Sequence, residues 1–269
     1  MERMDMPAID APLLGLLVMA GAFVLLALLE LALPFRRASQ AKGKRWFANL
    51  ALFAVDTLAV RLLLPLAMVG MAMLAAERGW GLFNMVEVPS WLAFAVTVLA
   101  LDLAIFLQHW ATHRVPLLWR LHRVHHTDRD FDVATAARFH PVEIVLSTAY
   151  KGAVVAALGA PVFAVFVFET GFAVLTLWTH ANLSLPSGLE RVVRWFVVTP
   201  TMHRVHHSER QPETDSNYGT FLSGWDRLFG TYNARAQEPQ ETMPIGLGEW
   251  RGDQTARLGF SLLLPFRKD

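Results

Sequence analysis

Residues 12–33, PLLGLLVMAGAFVLLALLELAL, form an apolar run of about twenty residues, the length a helix needs to cross the hydrocarbon core of a bilayer. Such a run permits few folds. Lipid offers no partner to a backbone N–H or C=O, so only helices and closed barrels cross it, and barrel strands are about half this long. Three further apolar stretches follow. Residues 47–75 are interrupted by Asp56, Arg61 and Pro65, while 91–108 (WLAFAVTVLALDLAIFLQ) continues as one block to 113. Residues 144–179 are split by GAP at 159–161, a turn signal inside otherwise helical sequence. A mean hydropathy of +0.35 agrees with membrane residence. The expected fold is an all-α integral-membrane bundle of about three spans plus a tight helical hairpin.

Charge sets the expected orientation. The link RRASQAKGKR carries Arg36, Arg37, Lys42, Lys44 and Arg45, whereas in the next link Arg78 is offset by Glu77 and Glu87. Lysine and arginine collect in cytoplasmic loops, so the first link is expected inside and the N-terminus outside. Positive charge follows the first run rather than preceding it, which reads as a retained helix and not a cleaved leader. Spans at about 12–33, 47–75 and 91–113, with a hairpin at 144–179, then leave 114–143 and 180–269 on the cytoplasmic side as a histidine-rich helical cap. No soluble domain or linker interrupts the chain, so 1–269 is expected to be a single membrane-embedded catalytic domain. Residues 189–198 (LERVVRWFVV) have the pattern of an amphipathic helix lying at the interface. The short loops suit a multi-pass protein of a bacterial inner membrane.

The histidines are the second constraint. LHRVHH at 121–126 returns as MHRVHH at 202–207, and all ten histidines lie between 109 and 207. They fall as His109-x3-His113, His122-x2-His125-His126, His140, His180 and His203-x2-His206-His207. On a helix, positions three or four apart share a face, so each cluster can aim its imidazoles at one place. One ion accepts at most six ligands, so eight to ten imidazoles point to two metals, and imidazole suits iron, zinc, copper and nickel alike. The absence of cysteine excludes thiolate zinc, iron–sulfur clusters and thiolate-bound haem. A net charge of +1 without a basic, aromatic-interleaved stripe gives no support to nucleic acid as a partner.

The order HxxxH, HxxHH, RFHP, HAN, HxxHH and then NYGTFLSGWDRLFGTY (217–232) resembles the sterol desaturase / fatty acid hydroxylase superfamily of integral-membrane, non-haem di-iron enzymes. The resemblance covers about 100–232. It implies that His109, His113, His122, His125, His126, His203, His206 and His207 bind two iron ions, although zinc could occupy the site in a purified sample. His140 and His180 match further recurrent histidines of the family. It also implies dioxygen as co-substrate, a membrane lipid as substrate and hydroxylation of a C–H bond. Desaturation or ether-lipid monooxygenation at the same site is the alternative. With no haem domain and no GxGxxG in the chain, electrons must come from a separate ferredoxin- or reductase-type partner.

Carboxylates beside these motifs are candidates for orienting the rings: Asp128, Asp130, Asp132, Glu143 and Asp226. At least one of the trio 128–132 is expected in a solvated loop. Asn182 reads equally as holder of a metal-bound water or as a helix cap. Asp102 lies seven positions before His109, inside a span, and either lines the way to the metals or pairs with Arg61. A metal transporter would want its ligands along the spans, and here they gather at one mouth. A zinc-dependent membrane hydrolase shares the ligand chemistry and is the remaining enzyme class.

Overall fold

A computed structural model describes residues 11–64 and 66–267. The chain ends and Pro65, invoked above as a break in the second stretch, lie outside the described residues. Helices α1 (Ala11–Ala32), α2 (Lys42–Leu63), α3 (Met68–Arg78), α4 (Leu82–Met85) and α5 (Ser90–Arg114) make the first half. α6 (Pro116–His126), a 3-10 turn (Val133–Ala137), α7 (Pro141–Leu158) and α8 (Val162–Thr179) follow. The last third holds the short helices α9 (Ser187–Val193), α10 (Pro200–His206), α11 (Gln211–Thr214), α12 (Gly224–Leu228) and α13 (Leu258–Leu263). No strand occurs among the described residues, so the fold is all-α.

Among the described residues, five stretches are long and apolar enough to cross a membrane: Leu13–Ala32, Lys42–Met85, Ser90–Arg114, Pro141–Leu158 and Val162–Thr179. The protein is therefore a multi-pass integral membrane protein. The hairpin forms where GAP divides the sequence: α7 stops at Gly159, which takes φ +63, and α8 starts after Pro161. Glycine adopts that left-handed conformation without strain.

The second apolar stretch is not one helix. α2 ends at Leu63, Leu64 has left the helical region (φ −128, ψ 77), and α3 begins at Met68. A proline next in sequence disfavours helix at the residue before it. The two pieces do different work. α2 lies beneath the histidine-rich cap, where Leu52 packs with Val124, Phe260 and Leu264. α3 continues away from the cap and joins α5, α7 and α8 through Met68, Ala72, Leu101, Ile105, Val155 and Phe168. Its end reaches the α7–α8 turn, where a Cβ on Gly81 would stand 2.0 Å from the amide nitrogen of Gly159.

α1 packs on α8, with Leu26, Leu177, Val133 and Ala181 forming a second core beside the cap. The interfacial helix expected at 189–198 covers Ser187–Val193 and ends in a turn before Val197.

Candidate metal centre

Three helices and one helix end converge on a single buried volume. α5 brings His109 and His113 on one face, and α6 and α10 each carry one copy of the hexamer. α8 delivers His180 at its C-cap. The local sequence sets each helix start: Pro116 and Pro200 occupy first-turn positions, where a missing N–H costs nothing. Thr199 caps α10 by accepting from the Met202 amide at 3.3 Å.

Nine of the ten histidines fall into two groups. His109, His113, His122, His126 and His206 form one, and His125, His180, His203 and His207 the other, with ligand atoms in each all within 4.8 Å of one another. Each hexamer is divided between the groups. The i, i+4 pair His122/His126 enters the first group and His125 the second; in the other copy His203/His207 enter the second and His206 the first. The rings of His126 and His207, one from each group, stack 4.6 Å apart, so the groups are neighbours.

The second ring nitrogen of five histidines has a fixed partner. His109 Nδ1 donates to the Tyr218 carbonyl at 2.7 Å, His125 Nδ1 to Arg138 at 3.1 Å, His180 Nδ1 to Thr176 at 2.8 Å and His206 Nδ1 to Ser216 at 2.8 Å. His122 Nδ1 meets the Glu143 carboxylate at 2.6 Å. A carbonyl only accepts, so the proton sits on Nδ1 and Nε2 presents a lone pair. Yet His180 Nε2 stands 3.1 Å from His125 Nε2 and 3.0 Å from His203 Nε2. His125 and His180 therefore face each other lone pair to lone pair, and such pairs repel unless a cation lies between them. The Nε2 atoms of His109, His122 and His206, and both ring nitrogens of His126 and His207, are buried without a hydrogen-bond partner. The donor set fits metal.

Burial, then the neighbouring rings, pushes His125, His126, His203 and His207 well below the usual histidine range. Burial takes His180 to about 4, and burial with the nearby His122 ring takes His206 to about 3. These imidazoles are neutral at pH 7, the form that binds metal.

His140 joins neither group. It caps α7 by accepting from the Val142 amide at 3.2 Å, and its Nε2 faces the Leu262 carbonyl. Asn182 neither caps a helix nor faces the histidines: its side chain accepts from the Arg36 amide and donates to the Arg36 carbonyl, both at 2.9 Å. Asp128, Asp130 and Asp132 are all buried, contrary to the solvated loop expected for at least one of them. Arg45 of α2 gathers them, bonding Asp128 at 2.7 Å and also Asp132, with Asp130 3.8 Å away. Burial acts to raise Asp128, but Arg45 and Arg138 outweigh it and hold this carboxyl low.

Asp102 does not pair with Arg61, which is exposed. It accepts from Trp225 Nε1 at 2.8 Å and the Leu222 amide at 3.2 Å, fastening the 217–232 segment to α5. Asp226 works within that segment, accepting from the amides of Tyr218 (2.8 Å) and Gly219 (2.9 Å). Gly219 is needed there, because a Cβ would stand 2.8 Å from Asp226 Oδ2. Asp226 therefore reaches the site through backbone: it fixes the turn whose Tyr218 carbonyl orients His109. Glu143 touches a clustered ring directly, at His122, and Asp215 stands 3.5 Å from His113 Nδ1.

Sequence reasoning missed Asn217 and the buried arginines. Asn217 takes φ +53 and donates to the carbonyls of Met202 and Asn233. Its turn sends the Ser216 carbonyl to His206 and the Tyr218 carbonyl to His109. Arg138 ties α2, α6 and the C-terminal helices together through Asn49, Val124, Thr127, Thr255 and Ser261, while its own carbonyl orients His125. The available signals were an asparagine before YG and the arginine in RFHP.

A family model described as fatty acid hydroxylase matches residues 94–231. Alkylglycerol monooxygenase of Xenopus tropicalis is 30% identical over 157 residues, which cover 57% of this chain and 34% of that protein. Ornithine lipid hydroxylase OlsE of Rhizobium tropici is 30% identical over 132 residues, 49% of this chain and 39% of the relative. Very-long-chain aldehyde decarbonylase GL1-1 of Oryza sativa subsp. indica is 27% identical over 190 residues, 65% and 30%. The match spans about a third of each relative's length. No solved structure matches the chain.

Proposed function

The chain belongs to the fatty acid hydroxylase family, and from that premise we propose that it is an oxygen-dependent di-iron oxidase hydroxylating a C–H bond of a membrane lipid. The observation that carries this reading is the meeting of the His125 and His180 Nε2 lone pairs, with His203 Nε2 3.0 Å from His180, beside a second group of five imidazoles. His109, His113, His122, His126 and His206 would hold one iron, and His125, His180, His203 and His207 the other. Bound iron supplies the reduction of dioxygen and the removal of hydrogen from an unactivated C–H. One oxygen atom enters the lipid as hydroxyl and the other leaves as water, so each turnover consumes two electrons and two protons.

The chain's own residues hold the rings still. Backbone carbonyls of Thr176, Arg138, Ser216 and Tyr218 fix the tautomer of four histidines, and Glu143 fixes a fifth. Such partners set ring direction and raise ligand basicity. The spans bring the lipid to the site laterally, so water need not be crossed. Electrons come from a separate ferredoxin- or reductase-type donor. The basic link bonds residues beside the histidines, Arg36 to the carbonyls of Met243 and Gln240 and Arg45 to Asp128. Positive charge marks cytoplasmic loops, so the metal side faces the cytoplasm, where such a donor resides. The whole chain acts as one membrane-embedded catalytic unit. The name alkylglycerol monooxygenase favours an ether lipid as the second reading, with the same site and the same electron balance.

Metal analysis of the purified protein is the test, with iron and zinc quantified per chain and a Mössbauer spectrum recorded. One iron per histidine group, magnetically coupled, is expected, followed by oxygenation of an alkylglycerol or ornithine lipid given reductant and dioxygen. Zinc alone, persisting after growth in iron-rich, zinc-depleted medium, would replace this reading with a hydrolase.

A further inference from the structure

Among the described residues the C-terminal third contains no helix long enough to cross a membrane, yet part of it lies beside the middle of a span. Leu222 and Trp225 bond to Asp102, and the Phe229 ring stacks on Phe106 with centroids 5.2 Å apart. Asp102 is twelve residues before the end of α5 at Arg114, about 18 Å along a helix rising 1.5 Å per residue. Half the hydrocarbon core of a bilayer is about 15 Å. With Arg114 at the outer edge of the head groups, which add about 5–7 Å on each side, that level lies within the same leaflet.

A second segment is stitched to it. The Val198 amide donates to Phe221 at 2.9 Å and the Ser223 amide to Phe196 at 3.2 Å, so 187–197 and 221–229 form one unit. Its outer face is apolar and without cover among the described residues: Leu189, Val192, Trp195, Phe196, Leu228 and Phe229 are all at least half exposed, Leu228 at 71%. Its charges are one-sided. Glu190 and Asp226 are its only acids and both are buried, whereas Arg191 is exposed and Arg227 stacks on Trp195 and Tyr232. Apolar and aromatic side chains rimmed by arginine, with acids turned inward, match a leaflet of acyl chains beneath anionic head groups.

We propose that 187–197 and 221–229 form a wedge inserted into the leaflet on the histidine-bearing side, with these six side chains among the acyl chains of membrane lipid. The inference is independent of the metal and of the reaction. That depth argues against a water-soluble partner, which would have to enter the membrane beside α5. A second copy of the chain is the competing occupant.

The chain has no cysteine, so single spin labels can be placed without background. Phe196→Cys and Leu228→Cys would be labelled in phosphatidylethanolamine–phosphatidylglycerol vesicles, after checking that each variant keeps the parent melting temperature. Leu99→Cys on the exposed side of α5 serves as the lipid reference and Asp253→Cys as the water reference. Collision with dioxygen, which concentrates in lipid, is compared with collision with a water-soluble nickel chelate. The expected result is a dioxygen-to-nickel ratio at 196 and 228 matching that at 99 and several-fold above that at 253. A ratio like that at 253 overturns the proposal, and so does shielding from both reagents, which would mean that protein covers the face.

Discussion

At the scale of single residues, Glu143 and His140 separate orientation from capping. Glu143 holds His122 Nδ1 at 2.6 Å and lies outside both histidine groups. Replacing it with glutamine keeps the shape but removes the charge that fixes the ring, a change expected to weaken metal binding about 10–100-fold. Iron retained per chain after dialysis against graded chelator measures this, and unchanged retention would deny Glu143 the role. His140→Ala is the contrasting case: it should cost about 1 kcal/mol of stability as a lost helix cap and leave iron content alone. Protons probe the same residues. Burial holds His180 at about 4 and His206 at about 3, against 6.5 in an unfolded chain. Between those values the unfolded chain binds protons that the folded one refuses, so its net effect is a stability that rises with pH. The metal-free protein should therefore be most stable above 6.5 and lose stability progressively as pH falls toward 4. Melting curves across that window that show no slope would argue that these rings are not buried neutral.

At the scale of elements, the repeated hexamer shows what sequence makes legible. HRVHH on a helix places two rings on one face and a third beside them, and that much follows from spacing alone. The division of each copy between two histidine groups does not. It depends on how α6 and α10 face one another, set by contacts such as Arg204 with the carbonyls of Ala181 and Leu183 and Arg138 with Thr255. Those partners lie more than twenty and more than a hundred residues apart in the chain, and no local pattern announces them. The hairpin and α5 were readable because a Gly–Ala–Pro turn and an uninterrupted apolar run are local signals. The α2–α3 break was half readable, since Pro65 marked an interruption without saying that the two pieces pack on different partners. Close packing gives the element scale its own test. A Cβ on Gly81 would stand 2.3 Å from the Ala156 carbonyl oxygen, a backbone atom that cannot move aside cheaply. Gly81→Ala should therefore cost about 1–3 kcal/mol by overpacking, read as a lowered melting temperature in detergent. Iron content should be unchanged, because the strain falls at the end of the bundle remote from the histidines. Loss of iron without loss of stability would contradict that separation.

At the scale of the whole molecule, metal in the two histidine groups would be a cross-link between parts that sequence keeps distant. α6 and α10 have 11 and seven residues, too short to hold as helices without tertiary partners. The cap gains some hold from Arg45 and its three aspartates, a network that involves no histidine side chain. Apolar clusters flank the histidine end, Leu52 with Val124, Phe260 and Leu264 and Phe131 with Met243 and Ile245. Its centre, though, is filled by nine imidazoles, among which the His125 and His180 lone pairs repel. Iron bound by both groups, as proposed, would remove that repulsion and tie α5, α6, α8 and α10 to common points. A site held at a hundredfold excess over its Kd adds about 2.7 kcal/mol to stability. Chelation should consequently lower the melting temperature and do so unevenly. Hydrogen exchange is expected to quicken in α6, in α10 and in the turn around Asn217, whose carbonyls hold His206 and His109. The amides of α2 around Arg45, anchored by the aspartates, should keep their protection. Uniform exchange after chelation would mean that the cap melts as one unit and that the aspartate network cannot hold it. No change at all, with the iron demonstrably gone, would mean that the protein supports two unfilled histidine groups by packing alone and that the facing lone pairs cost it nothing.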